Sequence, residues 1–299
     1  MSFTLAHLSD PHLAPLPQPR WSELVNKRIT GYVNWRRRRR FVHDASVLAK
    51  ISADVTAQAP DHIAVTGDIA NIALPEEFTR GRDWLEHLGS WRDVSVVPGN
   101  HDAYVGDGMA HAIRQWGAYM SGDDGRTVFP YLRRRAAVAL IGISSAVPTA
   151  WGLATGWIGA AQLARLAAML EALRSEALFR VVLIHHPPVS QAQRHKLLLD
   201  RGMLQRVLAR HGAELLLHGH DHLAMLNWLQ GPDGARVPAV GVPSASAAPG
   251  ATRHAAAYNL YRIDGGPGAW TCEMVTRGMD AERGIDEVKR VSLSPFVPA

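Results

Sequence analysis

Hydrophobic positions along the chain follow two alternating patterns. Compact apolar runs at Phe3 to Leu8, His62 to Thr66, Val94 to Val97, Ala137 to Ile143 and Val181 to Ile184 read as buried strands. Between them lie longer stretches with the three- and four-residue spacing of amphipathic helices. The clearest is Ala160 to Ala177, where Leu163, Leu166, Leu170 and Leu173 share one face. Helices are also expected over Val42 to Gln58 and Lys196 to His211. After Leu215 to Leu217 the pattern changes, and Ala224 to Leu229, Val237 to Val242, Ala257 to Ile263 and Trp270 to Val275 read as strands with no helix between them. Strand–helix alternation followed by antiparallel strands predicts an α/β fold of two packed sheets with helices outside, a four-layer αββα sandwich. No composition shift marks a second domain. A single domain over residues 1–277 is therefore expected, with a polar tail at 278–299.

At 299 residues and 47% hydrophobic content the chain can bury a substantial core. Cys272 is its only cysteine, which rules out an intrachain disulfide and favours a reducing compartment. "FTLAHLSD" reads as a first strand rather than a targeting segment, and charges, Gly and Pro interrupt every run before the roughly 18 apolar residues a spanning helix needs. A cytoplasmic protein is expected. The net charge of +5 comes from 32 Lys and Arg against 27 Asp and Glu, too mild a balance to imply nucleic-acid binding without a basic stripe.

Chemistry concentrates where the strands end. "LSDPH" places Asp10 and His12 after the first strand, "VTGDIAN" places Asp68 after the second, and "VPGNHD" places Asn100, His101 and Asp102 after the third. "LIHHPP" adds His185 and His186, and "LLLHGHDH" adds His218, His220, Asp221 and His222. Any one of these stretches is an ordinary turn. Together they are more, because loops beyond the carboxyl ends of strands in an α/β sheet converge on one crevice. Carboxylate, imidazole and amide donors without thiolate suit Mn, Fe, Zn or Co, and the set is too large for one ion; it fits a pair about 3.5–4 Å apart, as in dinuclear hydrolases.

The ordered blocks Asp-x-His, Gly-Asp, Gly-Asn-His-Asp, His and Gly-His-x-His resemble those of the calcineurin-like metallophosphoesterases, from Asp10 to His222. The resemblance implies that Asp10, His12 and His222 hold one metal, that Asn100, His185 and His220 hold the other, and that Asp68 bridges them. His185 is chosen over His186 because the family's ligand is usually followed by one residue and then Pro. The implied reaction is in-line attack on a phosphoryl group by a hydroxide shared between two cations, Mn or Fe first and Zn or Co as alternatives. His101 would serve the leaving group, with Asp102 orienting it and keeping it protonated. Family members with Asp at the end of the third block include cyclic-nucleotide phosphodiesterases and glycerophosphodiesterases, which favours a phosphodiester substrate. UDP-diacylglucosamine pyrophosphatases, which often carry Arg in place of His101, are the alternative, and a non-catalytic metal-binding scaffold recruited to membranes is the rival from another class.

The least typical segment is "RWSELVNKRITGYVNWRRRRRFV", Arg20 to Val42, inserted after the first block. Trp21, Leu24, Val25, Ile29, Tyr32 and Val33 fall along one helical face, while Lys27, Arg28 and the run Arg36 to Arg40 are cationic. A solvated basic helix and a basic amphipathic element on an anionic membrane, with Trp21 and Trp35 at the interface, fit equally well. The second would place the protein peripherally on the inner face of the membrane. Trp151 and Trp157 are candidates for an aromatic loop over the site, and His195 and His254 for reaching substrate, although packing explains each as simply.

Overall fold

The computed structural model describes residues 2–280 and 284–294. Its first sheet is built around β1 (Phe3–Leu8), which pairs in parallel with β2 (His62–Val65), itself parallel to β3 (Val94–Val96). On its other side β1 runs antiparallel to β10 (Ala257–Asp264), followed by β11 (Thr271–Asp280) and β12 (Gly284–Ser292). The second sheet has the order β4 (Tyr131–Arg135), β5 (Val138–Gly142), β6 (Phe179–Leu183), β7 (Leu215–His218), β9 (Arg236–Gly241), β8 (Met225–Gln230).

Strand residues alternate between faces, and the core divides accordingly. In β1, Phe3 and Leu5 point between the sheets, where they meet Leu140, Leu183, Leu217 and Tyr261. Ala6 and Leu8 point outward against α2 (Ala45–Ala57) and α3 (Pro75–Leu88), joined by Trp116 of α4 (Gly108–Trp116). A third cluster seals the second sheet beneath α5 (Ala160–Leu173) and α6 (Arg201–His211), using the four leucines of α5 together with Leu204 and Leu208. These layers are the expected αββα sandwich.

Local chemistry sets the boundaries. Asp44 caps α2, its carboxylate accepting from the backbone N–H of Ser46 at 2.7 Å, so the helix starts later than Val42. Lys196 lies in a short 3-10 turn, and α6 begins only at Arg201. One helix and one strand lack a legible pattern. In α3 the sequence PEEFTRGRDWLEHL is largely polar, and Gly81 is there because a side chain would collide with the Trp116 indole. Strand β4, YLRRR, is disguised by arginine; Arg133 is buried, its guanidinium donating to the carbonyls of Ser121, Trp91, Val94 and Ala118. The expected polar tail is corrected in its described part: residues 284–292 pair with β11 as an edge strand. Their polarity reflects a largely exposed edge, which charged residues protect from further pairing.

Candidate metal centre

The loops after β1 and β2 run side by side, with Asp10 N–H donating to Gly67 O, His12 N–H to Asp68 O and Leu13 N–H to Ile69 O, each at 3.0 Å. This ladder presents Asp10, His12 and Asp68 together. Asp10, His12, Asp68, His220 and His222 all have φ between 36° and 70°, the left-handed region that non-glycine residues avoid at a cost of about 1–3 kcal/mol each. Strain shared by residues from three separate loops marks a site whose side-chain directions outweigh backbone comfort. Gly67, at φ 91°, and Gly99 are obligatory neighbours: a Cβ on Gly99 would run into the Asp68 carboxylate, and one on Gly67 into the Gly99 backbone.

All seven expected donors converge. Asp68 Oδ2 stands 3.7 Å from His12 Nε2 and 3.4 Å from His185 Nε2, so one carboxylate oxygen faces both halves of the cluster. On the first side His222 Nε2 lies 3.2 Å from Asp10 Oδ1 and 3.3 Å from His12 Nε2. On the second, Asn100 Oδ1 lies 2.9 Å from His220 Nδ1 and 3.2 Å from His185 Nε2. The outer nitrogens of three rings are anchored to carbonyls: His12 Nδ1 to Ala70 at 3.2 Å, His185 Nδ1 to Thr66 at 2.6 Å and His220 Nε2 to Lys196 at 2.9 Å. An N–H held outward leaves the inner nitrogen with a lone pair toward the cluster, the tautomer that metal ligation requires. His186 packs against the His220 ring, with centroids 4.3 Å apart, but both its ring nitrogens have other partners, Ser145 Oγ and the Ala154 carbonyl.

The electrostatics fit cations. Asp10 Oδ1 is buried and accepts no hydrogen bond of good geometry. Burial alone would raise the Asp68 pKa, but His185 and His101 hold it below the usual carboxylate value. Burial also pulls His185 down, and the Asp68 and Asp10 carboxylates outweigh it, pushing that imidazole up to about 10. His12 and His220 fall well below the ordinary histidine value, chiefly through burial. Two buried carboxylates among imidazole and amide donors thus call for positive charge, and the residues present fit a pair of divalent or trivalent ions.

Asp102 requires a correction. Its buried carboxylate accepts from the backbone N–H groups of Asp68 (2.9 Å), Ala70 (2.9 Å) and Gly99 (2.8 Å), so it organises the ligand loops instead of orienting His101. His101 is oriented by its own neighbours: Nδ1 donates to Asn71 O, and its backbone N–H donates to Asp68 Oδ1 at 2.7 Å. Nor is it kept protonated, because burial and the Arg39 cation lower it to about 3.

The insertion is corrected too. At the start of its helix α1 (Arg28–Arg37), Lys27 and Arg28 turn inward, whereas Arg36, Arg37, Arg38 and Arg40 stay exposed. Lys27 donates to Thr149 Oγ1 and Leu153 O, and Arg28 to the carbonyls of Ile72 and Ala73 and to the Asp107 carboxylate. Trp35 is only 6% exposed and stacks on His43, with ring centroids 6.3 Å apart and planes within 4°. The break after Arg37 splits the arginine run and aims Arg39 into the site. Its Nη1 lies 3.0 Å from the His101 ring nitrogens, and its Nη2 lies 2.8 Å from His12 Nδ1 and 3.4 Å from His43 Nε2. Among the described residues Arg39 has no carboxylate partner at ion-pair distance. Arg39 and His43 are thus site residues that sequence reasoning missed, since one arginine among five carries no mark of its own.

Above the cluster opens a cavity of about 930 Å³, with Arg39, Asn34 and His43 on one wall and Val189, Leu223 and Met225 on another. Trp151, Trp157, His195 and His254 do not line it, although neighbouring Ala154, Lys196 and Arg253 do.

A double-sheet sandwich whose strand-end loops gather two carboxylates, four imidazoles and an amide around one shared oxygen defines a metallophosphoesterase. The chain belongs to the calcineurin-like phosphoesterase family, whose model matches residues 3–224. It is a metal-dependent phosphoric ester hydrolase. It is similar to the glycerophosphodiester phosphodiesterase GpdQ of Enterobacter lignolyticus, 26% identical over 232 residues, covering 76% of this chain and 73% of that one. Among solved structures, a dimetal phosphatase from Danio rerio matches with a TM-score of 0.63 at 15% identity, covering 98% of both chains. The purple acid phosphatase PPD1 from yellow lupin matches with a TM-score of 0.62 at 11% identity, covering 98% of this chain and 54% of that one. These two likenesses concern the fold. No helix among the described residues is long and apolar enough to cross a membrane.

Proposed function

We propose that the chain is a dinuclear phosphodiesterase, with Mn or Fe preferred and Zn or Co as alternatives. Asp10, His12 and His222 would hold one ion, Asn100, His185 and His220 the other, and Asp68 would join them. The observation that carries this reading is Asp68 Oδ2 standing within 3.7 Å of inner nitrogens from both donor groups. When bound, the ions would lower the pKa of water toward neutrality and offset charge on the phosphoryl oxygens. The chain's own contribution is orientation. Carbonyls of Ala70, Thr66 and Lys196 fix the rings, and Asp102 fixes the Asp68 loop.

Arg39 would grip the substrate. A guanidinium whose acceptors are the Nε2 atoms of His101 and His43, both neutral imidazoles, lacks a counter-anion, and its planar fork matches two oxygens of a phosphate. With His101 neutral, Arg39 supplies the positive charge beside the leaving group that a protonated His101 was expected to give.

A diester is favoured over a monoester because the 930 Å³ cavity offers room and apolar wall for a second substituent. The similarity to an enzyme named for glycerophosphodiesters points the same way. The test is a parallel assay of bis(p-nitrophenyl) phosphate, p-nitrophenyl phosphate, glycerophosphodiesters and cyclic nucleotides with each metal, alongside metal analysis. Preferential diester turnover at two metals per chain is expected. Turnover of the monoester alone would refute the substrate class.

A further inference from the structure

The insertion is amphipathic the wrong way round for a water-facing helix. Lys27 and Arg28 are buried and bonded, whereas Trp21 (86% exposed), Val25 (82%), Ile29 and Val33 face out at four-residue spacing, which stacks them on one side across the 3-10 turn Trp21–Leu24 and α1. Lys27 ties this element to the loop carrying the exposed Trp151 and Leu153, so the loop adds to the outward apolar surface. Contiguous exposed apolar residues of this kind mark an interaction face.

Charge identifies what covers it. Residues 20–42 hold eight Arg or Lys against one acid, Glu23, more than the whole chain's net charge of +5, so the remainder of the chain is slightly acidic. Arg36, Arg37, Arg38 and Arg40 are exposed at the end of the same stripe, and among the described residues none of the four forms an ion pair. An apolar stripe ending in unpaired arginines matches a bilayer boundary, where side chains enter the acyl region and guanidinium groups meet lipid phosphates. The same element supplies Asn34 and Arg39 to the cavity wall, so a bilayer on its outer face lies beside the route to the site.

We infer that the outer face of residues 21–41 seats the protein on an anionic lipid bilayer. Resting on the phosphodiesterase reading, this assigns the substrate to the class of lipid-linked phosphodiesters, presented from the membrane surface. The insertion is a docking element, and Arg39 is its point of contact with the chemistry.

The full chain is tested by co-flotation with vesicles of phosphatidylglycerol and phosphatidylcholine, with pure phosphatidylcholine, and by light scattering without lipid. Binding to the anionic vesicles that weakens with salt is expected. The triple variant Trp21→Ser, Val25→Ser, Ile29→Ser should bind at least about tenfold more weakly. Replacing Arg36, Arg37 and Arg40 with Ser should cost about fivefold per residue. Both variants should melt as the parent does and hydrolyse soluble bis(p-nitrophenyl) phosphate at the parent rate. Equal binding to neutral vesicles, no vesicle binding, or unaltered binding by the triple variant would overturn the proposal. So would a dimer that the triple variant converts to monomer, since a second copy would then cover the face. Loss of diester turnover in every form, with vesicle binding as expected, would refute the phosphodiesterase reading and leave the docking face standing.

Discussion

The Asp102 carboxylate sits 2.9 Å from the backbone nitrogen of Asp68 and takes its hydrogen bonds from three backbone N–H groups, none from His101. Two residues adjacent in sequence therefore do separate jobs: one builds the loops, the other faces the cavity. Asp102→Asn should destabilise the fold by about 2–4 kcal/mol, because an amide cannot accept all three N–H groups as a carboxylate does. Metal content should fall with it. His101→Gln should lower kcat while metal content and melting stay near the parent values. Chemical denaturation and elemental analysis of the two variants distinguish these roles, and identical profiles would contradict the separation.

Gly99 lets two loops approach where no side chain fits. Gly99→Ala would force its methyl against the Asp68 carboxylate and backbone nitrogen, so Asp68 must shift. The expected result is loss of bound metal and of more than about 100-fold in kcat, since a 1 Å misplacement of a reacting group has that scale of effect. Gly125→Ala, at a turn with nothing within 4 Å, should change neither reading despite its strained φ of 73°.

Arg39 separates charge from geometry. Arg39→Lys keeps the cation without the fork, and should raise KM for the diester with a modest loss of kcat. Arg39→Met removes both, and should also weaken inhibition by inorganic phosphate, with metal content unchanged. Equal phosphate inhibition in parent and Arg39→Met enzyme would remove Arg39 from the substrate.

His62 makes stability depend on acidity away from the metal centre. It is fully buried against Ser95 Oγ at 2.8 Å, and burial, reinforced by the Arg133 and Arg135 cations, lowers it to about 3. The unfolded chain binds a proton at this side chain below about pH 6.5 and the folded chain does not, so stability falls as pH drops through that value and levels off only near the folded pKa. His62 alone should cost about 2 kcal/mol between pH 7 and pH 5. His62→Gln should flatten that part of the stability–pH curve in urea titrations, and an unchanged slope would count against the assignment.

The strand runs and the leucine stripe of α5 made the sandwich legible, because burial on both sides of a strand or one side of a helix leaves its period in the residue types. The seven donors were legible for a related reason: each follows a strand, and strand ends converge. What stayed hidden depends on three-dimensional partners. Arg39 differs from Arg38 and Arg40 only in where the chain turns, and Lys27 and Arg28 are read as solvated until their carbonyl partners in other loops are in view. The polarity of residues 284–292 suits an exposed edge strand and a loose tail alike, so only pairing with β11 tells them apart.

The most direct measurement is anomalous diffraction from crystals of the manganese-loaded protein. Two peaks are expected about 3.5–4 Å apart, on either side of Asp68 Oδ2, one among Asp10, His12 and His222 and the other among Asn100, His185 and His220. A single peak, or peaks away from Asp68, would contradict the dinuclear reading.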